Sequence, residues 1–432
     1  MEDVTKAVKI TTKAWYGDEP LILTFPETWD VNVCKMLGHD RPPVSDQEIR
    51  DALTHPIESK PISELARDKE EAVILIDDCT RPTPTHRVAP FVLEELEKGG
   101  ISGDHVRFIG AVGTHRAMTR EDFEKKLGHE IVKEYACYTH NCFDDSYESF
   151  LVNVGKTSMG TPVLVNKEYW QSDLKIGIGA LKPHGSAGFG GGAKIVLPGC
   201  MGIESVYHNH GIVGRTRPWG LLHQTCTLGR VMDNRMRLDM EEAARIARLD
   251  IKVDLILNNR REVVGVFAGD FVAEHREGVK FAKDHYKTAP VRNADIVVLN
   301  TYPQEDEAGI SWWAARRSVK KGGSVVSIVQ CPEGQVVHYS VGRWGTDYGG
   351  KLFNPSRVTT SPVPKAGRVF IFSEYPQRTP SLPQPSEPLI AWRESWEEII
   401  EELQEIHGEE AKVAMYPSTS IQYPPVPPAW LP

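Results

Sequence analysis

Short runs of β-branched and other apolar residues, each too short to be a buried helix, recur along this chain and alternate with amphipathic stretches. Residues 72–76 form such a run and stop at Asp77-Asp78. Residues 88–98 carry a helical pattern closed by Gly99-Gly100, and 105–112 form the next strand. After the loop Gly113-Thr114-His115-Arg116, Thr119 and Asp122 have the spacing of a capping box that opens a helix. Residues 174–181 are a further strand, leading into Lys182-Pro183-His184. The same grammar returns at 294–300, in a helix over 307–321 stopped by Gly322-Gly323, and in strands over 324–329 and 369–372. Wholly apolar strands that alternate with helices require parallel sheets covered on both faces, with right-handed crossovers. The expected fold class is therefore α/β, as two α/β domains with mainly parallel sheets and the active site in the cleft between them.

The 432 residues suit two or three domains. A boundary is expected near 270–292, giving an N-terminal α/β domain over 1–270 and a C-terminal, Rossmann-like α/β domain over 271–432. After Glu374 a Pro-rich connector (378–388) leads into a helix at about 391–407, and the tail YPPVPPAWLP is expected on the surface or bracing the cleft. Apolar residues at 40% and charged residues at 25% exclude a wholly disordered chain. No stretch nears 18 uninterrupted apolar residues and the start lacks a signal-like apolar run, so no membrane association and a soluble, cytoplasmic protein are expected. A net charge of -9 argues against a general nucleic-acid binder. The seven scattered cysteines contain no CxxC pair, as expected of reduced structural thiols.

In α/β sheets function gathers at the carboxyl ends of strands, where this chain places its three most polar loops. DDCTRPTP (77–84) offers Asp78, a hydroxyl on Thr80 and a guanidinium on Arg81 that can fork a carboxylate or phosphate. The plainer alternative there is an internal Asp–Arg pair in a proline-shaped turn. KPHGSAGFGGGAKIVLPG (182–199) sets Gly190, Gly191 and Gly192 before Lys194, a pattern that lets backbone N–H groups approach an anion. It is not a Walker A loop, because Ala193 and Ile195 flank the lysine, and the alternative is a tight turn with a surface lysine. GTHR (113–116) contributes His115, and His184 follows another strand. Two histidines on opposite sides of one substrate could exchange protons on either face, as a racemase or epimerase needs. His208-Asn209-His210 is a candidate for a borderline metal such as nickel or zinc. The two would share a face on a strand but diverge on a helix, so at most one is expected to be a ligand; taken singly, a histidine is more often a hydrogen-bonded structural residue.

Together, DDCTRPTP, GTHRAMT (113–119), KPHGSAGFGGGAKIVLPG and the histidine after it resemble the nickel-dependent lactate racemase family. The likeness is densest between residues 70 and 210 and weak after 300. It implies that 1–270 binds a cofactor and carries catalysis. That cofactor is a nickel-pincer nucleotide (pyridinium-3-thioamide-5-thiocarboxylic acid mononucleotide) tethered to Lys194. His210, 16 residues later, would be the protein ligand to nickel. His115 and His184 would be the paired acid and base. Asp78, Thr80, Arg81 and the glycines at 190–192 would surround cofactor and substrate. The implied function is racemisation or epimerisation of a 2-hydroxy acid by hydride transfer, with cofactor-biosynthesis proteins as loading partners.

One departure bears on the substrate. Lactate racemases carry a glutamine and, three residues on, a lysine; an ungapped count places Glu307 and Ile310 there, with Gln304 nearby. A cationic contact is then missing at Ile310 and an acidic one is added at Glu307, which turns the expectation from lactate toward a larger, hydroxyl-rich acid. Trp312, Trp313 and Arg316 either shape that pocket or pack the helix. The alternative to an enzyme is a non-catalytic carrier that binds a nucleotide or another anion. A carrier needs no pair of bases, so His115 and His184 favour catalysis.

Overall fold

Pairing between distant segments, which no local periodicity encodes, decides where the first 39 residues go. The computed structural model describes residues 5–143, 150–218, 220–336, 361–376 and 382–424. β1 (Thr5–Thr12) and β2 (Glu19–Pro26) make an antiparallel hairpin. β3 (Asp30–Val33) then joins β18 (Lys412–Tyr416) in parallel, with Val31 opposite Val413. Trp29 is fully buried and donates from Nε1 to the Gly408 carbonyl at 3.2 Å. The start of the chain thus belongs to a smaller unit with residues 285–336 and the described part of 353–426, and residues 40–284 make the larger unit. The sequence expectation instead groups residues 1–39 with 40–270.

The larger unit contains β4 (Ala72–Ile76), β5 (Val106–Gly110), β6 (Ala136–Thr139), a hairpin of β7 (Leu151–Lys156) and β8 (Pro162–Asn166), β9 (Leu174–Ala180), a short hairpin of β10 (Pro183–His184) and β11 (Gly188–Phe189), β12 (Ile251–Leu257) and β13 (Val263–Gly269). Its six-stranded sheet has the order β13-β12-β9-β4-β5-β6, parallel except for β13. Every residue of β4, β9 and β12 is buried, as strands covered on both faces require. From β4 the chain steps to β5 and β6 on one side, then returns to lay β9, β12 and β13 on the other. The order reverses between β4 and β9, and such a reversal opens a crevice at the carboxyl ends of the strands. Thr119 does cap the Arg120–Leu127 helix reciprocally with Asp122.

The smaller unit contains β14 (Ala294–Asn300), β15 (Val319–Ile328), β16 (Arg368–Phe372), β17 (Ile390–Arg393) and β18, in an all-parallel sheet of order β17-β16-β15-β14-β18-β3. Two boundaries differ from the periodicity. The helix expected over 307–321 is a 3-10 segment (Glu305–Ser311) and a short helix (Trp312–Ser318), and Val319 is already in a strand. Gly322 and Gly323 lie inside β15 rather than ending a helix. Gly322 has a φ of +80°, and a Cβ on Gly323 would sit 2.7 Å from the Asp295 carbonyl. The helix expected from about 391 starts at Trp396 behind a Ser395 cap, because 390–393 pair as β17. Trp312 and Trp313 pack in the core of this unit, and Arg316 donates to the Pro362 carbonyl at 2.9 Å, the plainer of their two expected roles. Residues 377–381 of the connector and 425–432 of the tail lie outside the described residues. Among those described, no helix is long and apolar enough to cross a membrane.

Candidate functional site

β9, β4 and β5 are neighbours in the sheet, so the loops that leave their carboxyl ends stand side by side. Backbone bonds tie them together. Ala111 N donates to Ile76 O at 2.7 Å, and Gly113 N donates to Gly199 O at 2.9 Å, which joins the His115 loop to the turn after Lys194. Gly113 has a φ of +57° and Pro198 would lie 3.3 Å from a Cβ there, so the approach favours glycine.

Asp77 and Asp78, adjacent in sequence, have different tasks. Asp77 accepts from the buried Lys126 Nζ at 2.6 Å, Thr83 Oγ1 at 2.6 Å and Ala180 N at 2.9 Å. It therefore clamps the β4 loop to the end of β9. Lys126 also donates to the carbonyls of Asp78 (3.2 Å) and Arg81 (3.0 Å), which fixes the loop's path. Asp78 instead faces His115: its Oδ2 lies 2.7 Å from Nδ1, while Oδ1 accepts from Thr80 N (3.1 Å) and Oγ1 (2.5 Å). Arg81 Nη1 donates to Thr80 Oγ1 at 2.8 Å. Burial alone would raise the Asp78 carboxyl, but His115, Arg81 and Thr80 outweigh it and bring it down to about 2. The structure thus brings Asp78, Thr80, Arg81 and His115 into one hydrogen-bonded chain.

His184 stands on β10, paired with Gly188 of β11. Its Nδ1 accepts from Ala187 N at 3.1 Å, so a neutral ring carries its proton on Nε2. His115 has the opposite tautomer, because Nδ1–H donates to Asp78 and Nε2 holds the lone pair. The glycine run begins six residues after His184 and is gripped from behind. Gly190 N donates to Lys182 O at 2.7 Å, and Gly192 N donates to Asp254 Oδ2 at 2.8 Å. The fully buried Arg237 donates to the carbonyls of Ala187 (3.2 Å), Gly191 (3.1 Å) and Phe189, and His275 Nε2 donates to Gly190 O at 2.8 Å. Two of the three glycine amides therefore serve the protein itself. A Cβ at Gly191, whose φ is +74°, would run into the Asp254 carboxylate. The run's main service is close packing that holds the turn Gly192–Ile195, on which Lys194 sits half-buried.

Behind the run, Asp254 pairs with the fully buried Lys252 at 2.5 Å. Burial pushes Glu274 well above the usual carboxylate range. Burial, followed by the Arg237 and Arg276 charges, holds His275 well below the usual histidine range. The sequence reading missed this cluster and Lys126. Its one visible signal was charge inside an apolar strand, Lys252 and Asp254 in IKVDLIL. His208 and His210 lie on a widened helical turn (Tyr207–Val213), where they diverge; His208 Nδ1 is 2.8 Å from Thr161 Oγ1.

Comparison with known proteins bears on the family and the fold. A family model described as the lactate racemase N-terminal domain matches residues 16–218. The lactate racemase of Lactiplantibacillus plantarum is 32% identical over 298 residues, 67% of this chain and 68% of that protein. The lactate racemase of Thermoanaerobacterium thermosaccharolyticum is 27% identical over 326 residues, 74% of each chain. The structure of the lactate racemase apoprotein from T. thermosaccharolyticum superposes with a TM-score of 0.71 at 20% identity, covering 97% of this chain and 100% of that one. A crystal structure of a Thermotoga maritima protein gives 0.61 at 18% identity, covering 88% and 99%. The two structural likenesses speak for the α/β fold, and the sequence matches go further: the chain belongs to the lactate racemase family.

Proposed function

We propose that this chain racemises or epimerises a 2-hydroxy acid with a nickel-pincer nucleotide tethered at Lys194, His210 as the protein ligand to nickel, and His115 and His184 as paired base and acid. The observation that carries the reading is the bond from His115 Nδ1–H to the buried Asp78 carboxylate, which leaves Nε2 to act as base, on a loop that stands with the His184 loop on either side of the β4 loop.

The residues present fit such a group. Among the described residues no three His, Cys, Asp or Glu side chains gather as a metal cage. A metal on His210 would therefore draw most of its donors from an organic partner, as a pincer provides. Lys194 is a half-buried amine on a turn with a clamped backbone, and Arg81, held by Thr80 Oγ1, would supply a guanidinium for phosphate or carboxylate. When bound, the group would accept the substrate's α-hydrogen as hydride, which avoids a carbanion beside a carboxylate.

The chain's own work is positioning and proton transfer. His115 Nε2 takes the substrate's hydroxyl proton, and Asp78 stabilises the imidazolium that forms. A doubly protonated His184, whose Nδ1 then carries a proton in place of the bond from Ala187 N, returns its Nε2 proton to the oxygen when the opposite enantiomer is made. In the reverse direction neutral His184 takes the hydroxyl proton at Nε2 and the His115 imidazolium returns one, and solvent resets the pair between turnovers in one direction. Arg81 orients the substrate carboxylate or the phosphate. Glu307, whose carboxylate accepts from the Gln304 amide, stands where the family resemblance expects glutamine, and Ile310 where it expects lysine. That pair favours a substrate with further hydroxyls over lactate.

The test is incubation of cofactor-loaded protein with single enantiomers of a panel of 2-hydroxy acids, including sugar acids. Formation of the opposite configuration at the α-carbon supports the proposal. Tight binding with no inversion across the panel would return the chain to the carrier alternative.

A further inference from the structure

The segment that carries His210 is fastened from one buried point. Asp239, fully buried on the Arg235–Ile246 helix, accepts three hydrogen bonds: from Thr157 Oγ1 at 2.5 Å, Thr161 Oγ1 at 2.7 Å and Asn209 Nδ2 at 2.7 Å. Asn209, also fully buried, directs its second amide proton to the Met236 carbonyl at 3.1 Å. Thr161 spends its only hydroxyl proton on Asp239, so its oxygen accepts from Nδ1–H of His208 at 2.8 Å. Downstream, Gly214 N donates to Asn209 O at 2.9 Å, and Arg215 Nε donates to His210 O at 3.0 Å. The residues before His210 are thus held by side chains and backbone from elsewhere in the larger unit, and the residues just after the turn bond back onto it. The turn itself is widened (Tyr207–Val213), a costly helical form that recurs where function needs it.

A buried carboxylate that takes two hydroxyls and an amide, with no cation among those three donors, is an expensive way to pack a helix against a hairpin. Ordinary core side chains would do that work at less cost. The arrangement does supply a fixed backbone for a half-buried imidazole. We infer that Asp239 and Asn209 are positioning residues that hold the widened turn so that His210 meets the metal, with Thr161 and His208 as the outer tie. This rests on the proposal that His210 holds nickel. Partners hydrogen-bonded to a metal ligand typically change metal affinity by about 10–100-fold when lost, and Asp239 and Asn209 act one step further out, through the turn that carries His210.

The experiment uses full-length protein produced with the cofactor-making enzymes, as wild type, Asp239→Asn, Asn209→Leu, Thr161→Val and His210→Ala. Two quantities are read apart from activity: the fraction of Lys194 peptide carrying the adduct mass, and nickel per protein after timed exposure to a chelator. We expect Asp239→Asn and Asn209→Leu to keep the adduct within about twofold of wild type while nickel leaves about 10–100-fold faster. Thr161→Val, which leaves the Asn209–Asp239 bond intact, should show a smaller acceleration. A merely structural role would lower adduct and nickel together. Should Asp239→Asn lose its cooperative melt, Asn209→Leu and Thr161→Val decide the matter in the same assay. Wild-type nickel retention in folded Asn209→Leu and Thr161→Val, with nickel lost from His210→Ala, overturns the inference and leaves the His210 proposal standing. Nickel retained in His210→Ala overturns both.

Discussion

Replacing Asp78 by asparagine keeps the shape of the loop and removes the charge that faces His115. In the wild-type protein Oδ2 lies 2.7 Å from His115 Nδ1 and Oδ1 accepts from both Thr80 N and Oγ1. Burial works against the carboxylate, yet the histidine, Arg81 and Thr80 bring it from 3.8 to about 2. That difference is worth roughly 2 kcal/mol in favour of the charged form. The sign follows from the depressed acid: the stabilisation is complete above about pH 4 and is lost as pH falls toward 2. With His115 neutral at pH 7, its share of this stabilisation falls away and the Arg81 and Thr80 bonds remain, so the variant should lose at most about 2 kcal/mol, a fall in Tm of no more than about 4–8 °C for a unit of this size. The catalytic loss should be larger. An amide can present either an acceptor or a donor to Nδ1, so the ring is free to put its proton on Nε2, the nitrogen that must be empty. Misplaced general bases typically cost about 10²–10⁴-fold. The assay is the initial rate of inversion at the α-carbon per Lys194 adduct, beside a melt of cofactor-free protein. An inversion rate within about threefold of wild type would refute the assignment of His115 as the Asp78-oriented base.

His115→Gln and His184→Gln should each keep the Lys194 adduct mass and lose inversion by about 10²-fold or more; full turnover in either refutes that residue's role. Asp254→Asn leaves the fully buried Lys252 without its ion partner and should destabilise the larger unit by about 3–5 kcal/mol, read as a lower denaturation midpoint. An unchanged midpoint would show that the clamp behind the glycine run is dispensable. Burial lowers the His140 imidazole to about 4, despite its bond to the Met201 carbonyl. The folded state therefore prefers the neutral ring, and stability should be complete above about pH 6.5 and fall by about 3 kcal/mol toward pH 4. His140→Gln should flatten that slope in urea titrations at several pH values, and an identical slope in the variant would remove His140 as its cause.

The strands that lie wholly within the sheets were legible because burial on both faces leaves mostly apolar residues: 72–76 is wholly apolar, and 174–180 and 294–300 carry only Lys175, Asp295 and Asn300 besides apolar residues and glycine. The helix over 89–98 and the Thr119 cap were legible because their signals are local. What was not legible is what depends on distant partners. β3 has only four residues and an exposed start, and only its pairing with β18 assigns 1–39 to the smaller unit. Gly322-Gly323 looks like a helix stop until the Asp295 carbonyl is seen pressing on it. The loops at the site were legible because their polar residues interrupt apolar runs. The division of labour within them was not: Asp77 and Asp78 are neighbours in sequence, and only Lys126 and His115 tell the clamp from the carboxylate that faces the histidine. The glycines at 190–192 read as an anion cradle, but Asp254, Arg237 and His275 show that most of their bonding is spent on holding the turn before Lys194.

The most direct test of the central claim is the intact mass of the protein made together with the cofactor-producing enzymes, followed by mapping of the Lys194 peptide and measurement of nickel. The account predicts an adduct on Lys194 with nickel alongside, both absent from Lys194→Ala. An unmodified Lys194, in cells where a control lactate racemase is loaded, would contradict it and leave the loops at β4, β5 and β9 as a binding site without this chemistry.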